Sequence, residues 1–334
     1  MSTADWLLVV MWTGLTAYVL LGGADFGGGF WDLVAGDVRR GERQRKLIEQ
    51  SIGPVWEANH VWLIFVLVLC WSAFPAVFAS VASTGYLPLT LVALGIIARG
   101  SAFAFRNTIT ELGYRRLFGT AFAASSVLTP FFLGTVAGGI ASGRIPLGIA
   151  AGDIVTSWWN PTSILAGTLA VAIAAYLAAV YLCADARRAG AADLVTAFRR
   201  RAIGAALVAG ALALAGILVL HADSPRLFDG LIGTALPVVV LSAAAGIASM
   251  AVLAARRFVL ARVCAGVAVA ALLWAWALAQ YPVMLLPDTT VDRAAAHPTV
   301  LRVLLISVTV GAVLLIPSLV WLYTLFQRRP ARIG

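Results

Sequence analysis

The chain has 334 residues, of which 61% are hydrophobic and 12% charged, and its mean hydropathy is +0.94. A water-soluble domain carries about 25% charged residues, so this composition excludes a soluble globular protein and specifies a polytopic membrane protein. The formal net charge of +9 does not point to nucleic acid, because the basic residues are spread over short segments between apolar runs, as expected opposite anionic lipid.

Runs of about 20 apolar residues read as membrane spans. Nine are predicted, at 6–30, 56–78, 81–105, 117–141, 163–184, 203–221, 232–254, 260–281 and 303–326. Asp5, rather than a basic cluster, precedes the first run, which is also too long for a signal-peptide core, so it counts as a span. The second and third are divided by length alone, since 56–105 is far too long for one crossing. Lys and Arg alternate between the inter-span segments. One side holds Arg39, Arg40, Arg43, Arg45 and Lys46, then Arg106, Arg115 and Arg116, then Arg187, Arg188 and Arg199–Arg201. It continues with Arg256, Arg257 and Arg262, and ends with Arg328, Arg329 and Arg332 in the tail. The opposite side holds Arg144, Arg226, Arg293 and Arg302. The positive-inside rule then places the N-terminus outside and the C-terminus in the cytoplasm. The longer outer segments, 142–162 and 282–302, read as ordered caps. Cys70, Cys183 and Cys264 fall in or at the ends of separate spans without C-x-x-C spacing, so neither a disulfide framework nor a thiolate metal site is expected.

Two stretches break the apolar pattern. "GGADFGGGFW" puts Asp25 near the inner end of the first span, and "GPVWEANHVW" puts Glu57, Asn59 and His60 near the inner end of the second. At 1.5 Å rise per residue both acids fall within roughly 10 Å of the inner boundary. Glu57 and His60 are i and i+3, hence on one face, and the glycines around Asp25 let a helix or water approach closely. A charge at mid-membrane costs about 2.5–3.5 kcal/mol and less near the boundary. Two readings therefore stand: groups that carry protons, or side chains that snorkel and pack. Glu57-x-x-His60 has the spacing of a carboxylate di-iron helix, but that site needs a second copy and two further glutamates. A haem would need axial His, Cys or Met. His221 and His297 lie at or in outer loops, and Met1, Met11, Met250 and Met284 are not placed opposite His60. The chain is thus expected to hold no metal and no redox cofactor. The glycine run lacks the preceding strand of a nucleotide-binding loop.

Five ordered motifs, "ADFGGGFWDL", "SIGPVWEANHVWLI", "ARGSAFAFR", "WNPTSILAG" and "YPVMLLPDTTVDRAAAHPTVLRVLL", make the chain resemble subunit II of the cytochrome bd-type quinol oxidases over nearly its whole length. The resemblance implies an all-α integral membrane fold of two four-helix bundles plus a peripheral helix. The bundles would cover about 6–141 and 163–281, with the last helix at 303–326. It implies a tight partner, the subunit I that carries haem b and haem d, oxidises quinol and reduces oxygen to water, together with membrane lipid and room for small accessory subunits. The location implied is the prokaryotic cytoplasmic (inner) membrane. Residue by residue, the acid after Trp56 is Glu57, assigned to a cytoplasmic proton pathway with Asp25, and His60 and Asn59 are its relay or hydrogen-bond partners. Arg99 and Arg106 match the paired arginines, with Trp56, as structural and electrostatic residues. Two family acids are replaced here, by Gly22 and Ala104. The alternatives are a stand-alone proton-coupled transporter and a purely structural assembly subunit.

Overall fold

The computed structural model describes residues 1–36, 41–52, 56–106 and 112–327. Helix α1 (Thr3–Leu33) starts at a capping box, in which Ser2 Oγ accepts from the Asp5 amide and Asp5 accepts from the Ser2 amide. This reciprocal pair satisfies two donors that a helix start otherwise leaves open. The short polar α2 (Glu42–Ile52) follows, anchored by buried Leu47 and Ile48 and by ion pairs from Arg45 to Asp32 and from Arg43 to Asp193. Helix α3 (Trp56–Ala73) stops at Phe74, and α4 (Pro75–Thr84) begins with proline in its first turn. Proline suits that position because its missing N–H is one the helix start leaves unbonded anyway.

Next come α5 (Tyr86–Arg106), α6 (Leu112–Ala141) and α7 (Pro161–Arg188). Helix α7 opens on Asn160, whose side chain accepts from the Ser163 amide, with Pro161 following. Helix α8 (Ala192–Asp223) leads into the short α9 (Pro225–Ile232), then α10 (Leu236–Ala254) and α11 (Phe258–Gln280). A two-stranded antiparallel hairpin, β1 (Val283–Leu285) with β2 (Thr289–Thr290), and one turn of helix, α12 (Val291–Ala294), cap the end opposite the basic one. Helix α13 (Pro298–Gln327) closes the chain.

Among the described residues nine helices, α1, α3, α5, α6, α7, α8, α10, α11 and α13, are long and apolar enough to cross a membrane. Helices α1, α3, α5 and α6 pack together, as do α7, α8, α10 and α11. Helices α1 and α6 lie against α7 and join the two groups, while α13 packs on the edge formed by α1 and α3. The fold is thus all-α and membrane-spanning, with two four-helix bundles and a peripheral helix.

The structure departs from the expected spans in several places. The second span ends at Ala73 rather than 78, because Pro75 starts α4 as a separate short helix. The sixth span begins at Ala192 rather than 203. Arg199 therefore lies on a helix, where it donates to the carbonyls of Leu253 and Ala254 at 2.9 and 3.0 Å. A cation there satisfies the open carbonyls at the end of α10. The outer segment after α11 contains strand pairing that its mixed composition did not announce.

Candidate functional site

The glycines of α1 let three helices converge on one aspartate. A side chain at Gly27 would overlap the Ala174 carbonyl of α7, its Cβ lying 1.8 Å from that oxygen, and one at Gly29 would lie 2.1 Å from Ser126 Oγ of α6. Only glycine permits both contacts, so the backbone of α1 seats directly on α6 and α7 at the level of Asp25.

Asp25 Oδ2 accepts from Asn59 Nδ2 of α3 at 2.6 Å. Arg99 of α5 donates through Nη2 to the Asp25 backbone carbonyl at 2.8 Å and through Nε to Ser126 Oγ at 3.1 Å. Ser126 in turn donates to the Phe122 carbonyl at 2.6 Å. The guanidinium lies 4.6 Å from the ring centre of Phe26 and 5.1 Å from that of Phe122, two faces that favour a cation. Asp25 is 5% exposed, Asn59 and Arg99 2%, and Ser126 1%. This polar core is sealed, which rules out snorkelling for Arg99.

His60 points into the same bundle, with ring centres 6.2 Å from Tyr18, 5.8 Å from Phe26 and 5.8 Å from Trp56. Trp56 also packs against Phe103 and over Gly100. Glu57 does not join this group. It is exposed, as are Val61, Ile64, Val68 and Trp71 at the successive helical spacings along α3. Glu57 and Asn59 are two residues apart, hence about 200° around the helix, so turning Asn59 to Asp25 turns Glu57 outward. The shared face inferred from the i, i+3 spacing is therefore split: His60 faces inward and Glu57 outward. The Arg106 side chain lies outside the described residues. Sequence reasoning missed Ser126, Tyr18, Phe26 and Phe122. Two hints were present, the paired Ser125–Ser126 inside an apolar span and Tyr18 two turns before Asp25.

A family model, cytochrome bd terminal oxidase subunit II, matches residues 3–326. The chain belongs to the cytochrome bd oxidase subunit II family. It is similar to cytochrome bd ubiquinol oxidase subunit 2 of Bacillus subtilis (strain 168), with 32% identity over 130 residues, 39% of this chain and 37% of that protein. It is also similar to cytochrome bd-I ubiquinol oxidase subunit 2 of Escherichia coli (strain K12), with 29% identity over 225 residues, 65% of this chain and 56% of that one. These matches span less than two thirds of either relative's own length. A solved bd oxidase from Geobacillus thermodenitrificans shares the fold at a TM-score of 0.76 and 24% identity, covering 98% of this chain and 99% of that one. As a subunit II family member with nine apolar helices, the chain is a multi-pass protein of the prokaryotic cytoplasmic membrane.

The bd oxidase family implies haem. In this subunit II chain His60 lies towards the basic end, while His221, edge-on to Phe228, and His297, whose Nδ1 accepts from the Thr299 amide, lie at the opposite one. Among the described residues no three His, Cys, Asp or Glu converge. His60 thus has no histidine partner on a facing helix with which to bracket a haem within this chain.

Proposed function

We propose that this chain is the non-haem subunit II of a membrane quinol:oxygen oxidoreductase, a terminal respiratory oxidase that reduces oxygen to water. In this reading subunit I carries haem b and haem d and oxidises quinol. The present chain completes the scaffold and conducts cytoplasmic protons towards the oxygen-reducing centre. The basic end faces the cytoplasm and the N-terminus lies outside, as the distribution of Lys and Arg requires. The observation that carries the reading is the sealed Asp25–Asn59–Arg99 core in a lipid-embedded bundle. An ionisable group there is costly and marks a proton or ion route by default.

The residues divide the work. Asp25 binds and releases the proton. Asn59 holds one carboxylate oxygen through a donor that cannot itself be protonated at neutral pH. Arg99 fixes a positive charge beside the acid and, through the Asp25 carbonyl, clamps the glycine-rich turn that presents it. Glu57 stands at the basic-end terminus of the exposed apolar stripe on α3, where a helix of subunit I would cover it and take it out of water. His60 stands between that acid and the buried core.

Purification under mild detergent tests the assembly. The chain should co-purify with a haem-rich partner, whereas a stand-alone transporter would come alone. Glu57→Gln tests the chemistry, because it keeps size and hydrogen bonding but carries no proton. The complex should retain its haems while quinol-driven oxygen consumption falls sharply, and Glu57→Asp should stay active. Normal oxygen consumption in an assembled Glu57→Gln complex would reduce Glu57 to a structural acid.

A further inference from the structure

The two acids of the proposed route are not in contact, since Asp25 is sealed inside the bundle and Glu57 is on its surface. Among the described residues the same bundle holds a set of buried polar atoms without hydrogen-bond partners. Arg99 spends Nε on Ser126 and Nη2 on the Asp25 carbonyl, while its Nη1 is buried with no partner among the described residues. The Tyr18 hydroxyl and His60 Nδ1 share that condition. Tyr18 is 5% exposed, and its ring lies over Gly22, where a Cβ would come within 2.9 Å of it. The phenol thus runs along α1 towards the Asp25 turn, and its hydroxyl lies within electrostatic reach of both Arg99 and Asp25. His60 is within electrostatic reach of Arg99, and its ring is 6.2 Å from that of Tyr18. Phe26, edge-on to His60 and under the Arg99 guanidinium, ties the three into one neighbourhood.

Buried polar atoms are nearly always satisfied by protein or by ordered water. Each one left open costs about 1–3 kcal/mol, and a buried water needs two to four polar partners. Here the partners are complementary. Arg99 Nη1 can only donate, an imidazole nitrogen can accept, and a tyrosine hydroxyl does either.

We propose that Arg99, Tyr18 and His60 hold ordered water in the first bundle, and that this water links Asp25 to His60 and so to Glu57. The proposal rests on the proton-conducting reading and names the missing connection within it. A proton reaching the water from the Asp25 side releases a different proton to His60 Nδ1, and His60 gives up its Nε2 proton towards the Glu57 side. One proton moves, the water is restored, and His60 is left as its Nδ1–H tautomer, which a ring flip or a tautomer exchange resets before the next proton. Tyr18 is a positioning residue here, since it orients the water and keeps its own proton.

The test uses the intact oxidase complex. A map fine enough to show water should contain density within hydrogen-bond distance of Arg99 Nη1 and the Tyr18 hydroxyl. A dry gap, or a subunit I atom bonded to that hydroxyl, overturns the proposal whether or not any variant assembles. Tyr18→Phe removes the hydroxyl alone. Oxygen consumption should fall about three- to tenfold, with haem content and quinol KM unchanged and a larger solvent deuterium isotope effect on kcat. A merely structural tyrosine would not move that isotope effect. If Tyr18→Phe leaves turnover and isotope effect unchanged while Asp25→Asn stops turnover, the water link is wrong and the proton-conducting reading stands. If Asp25→Asn also turns over normally, that reading fails and takes the link with it.

Discussion

Spans one to four bury an aspartate, an asparagine and an arginine at one level of the bundle. At the same depth, spans five to eight bury an alanine-rich seam, including Ala175, Ala178, Ala179, Ala202, Ala261 and Ala265, beside a Tyr176–Ser249 hydrogen bond of 2.5 Å. In lipid the hydrophobic effect does not hold helices together, and close packing of small residues does. The second bundle follows that rule for its own sake. In the first bundle the same device, glycine at Gly27 and Gly29, serves to seat a carboxylate and a guanidinium away from bulk water. The contrast teaches that small residues alone mark packing, whereas small residues around buried charge mark a site.

The largest effect should come from Arg99→Leu, which strips the core of its cation and leaves Asp25 buried beside an open carbonyl. Removing one member of a buried charged set costs about 3–5 kcal/mol, so the yield of assembled complex should fall at least roughly tenfold. The matching change in the second bundle, Arg262→Leu, leaves Asp185 its other partner Arg188 near the basic surface. It also removes a bond to the Tyr181 carbonyl, and it should cost less than Arg99→Leu because Asp185 keeps a partner. Equal losses of yield would erase the distinction between the bundles.

Gly27→Ala comes next. Its added methyl meets backbone of α7 rather than a movable side chain, and overpacking of this kind costs about 1–3 kcal/mol. Gly210→Ala and Gly246→Ala, where nothing lies within 4 Å, should gain up to about 1 kcal/mol from helix propensity. Thermal stability of the purified complex in detergent would separate them, and a neutral Gly27→Ala would show that α1 and α7 are not seated as described. Tyr176→Phe should have the smallest effect. It removes the bond to Ser249, which still donates to the Ala261 carbonyl, at a cost of about 0.5–1.5 kcal/mol. Oxygen consumption per assembled complex should not change. A loss of turnover there would place a working polar network in the second bundle as well.

The span count and the interruption of the apolar pattern at Asp25 and Glu57 were legible from residues alone, because a charge in a hydrophobic run has no background to hide in, whereas Arg99 was singled out by the family resemblance. Helical phase was not legible. Helix α3 is apolar on every side, so its sequence carries no amphipathic stripe to show which polar residue turns inward. Spacing therefore paired Glu57 with His60, while packing chose Asn59 for Asp25 and left Glu57 outside. Ser126 and Tyr18 gave only faint hints for a related reason, since hydroxyls are common in spans and usually bond their own helix. Thr168 bonds the Ile164 carbonyl in this way and Ser318 the Leu314 carbonyl. The break at Phe74 was not located, because the run on either side of it is equally apolar and the division there rested on length.

Quinol-driven oxygen consumption by an Asp25→Asn complex, with haem content matching that of the unsubstituted one, tests whether Asp25 carries protons. Asparagine keeps the shape of the side chain and can still bond Asn59, so the bundle should assemble with its haems intact. Because it cannot carry a proton, turnover should fall by at least about tenfold, while Tyr176→Phe in the other bundle runs at the normal rate. An assembled, haem-replete Asp25→Asn complex consuming oxygen at the normal rate would contradict the account.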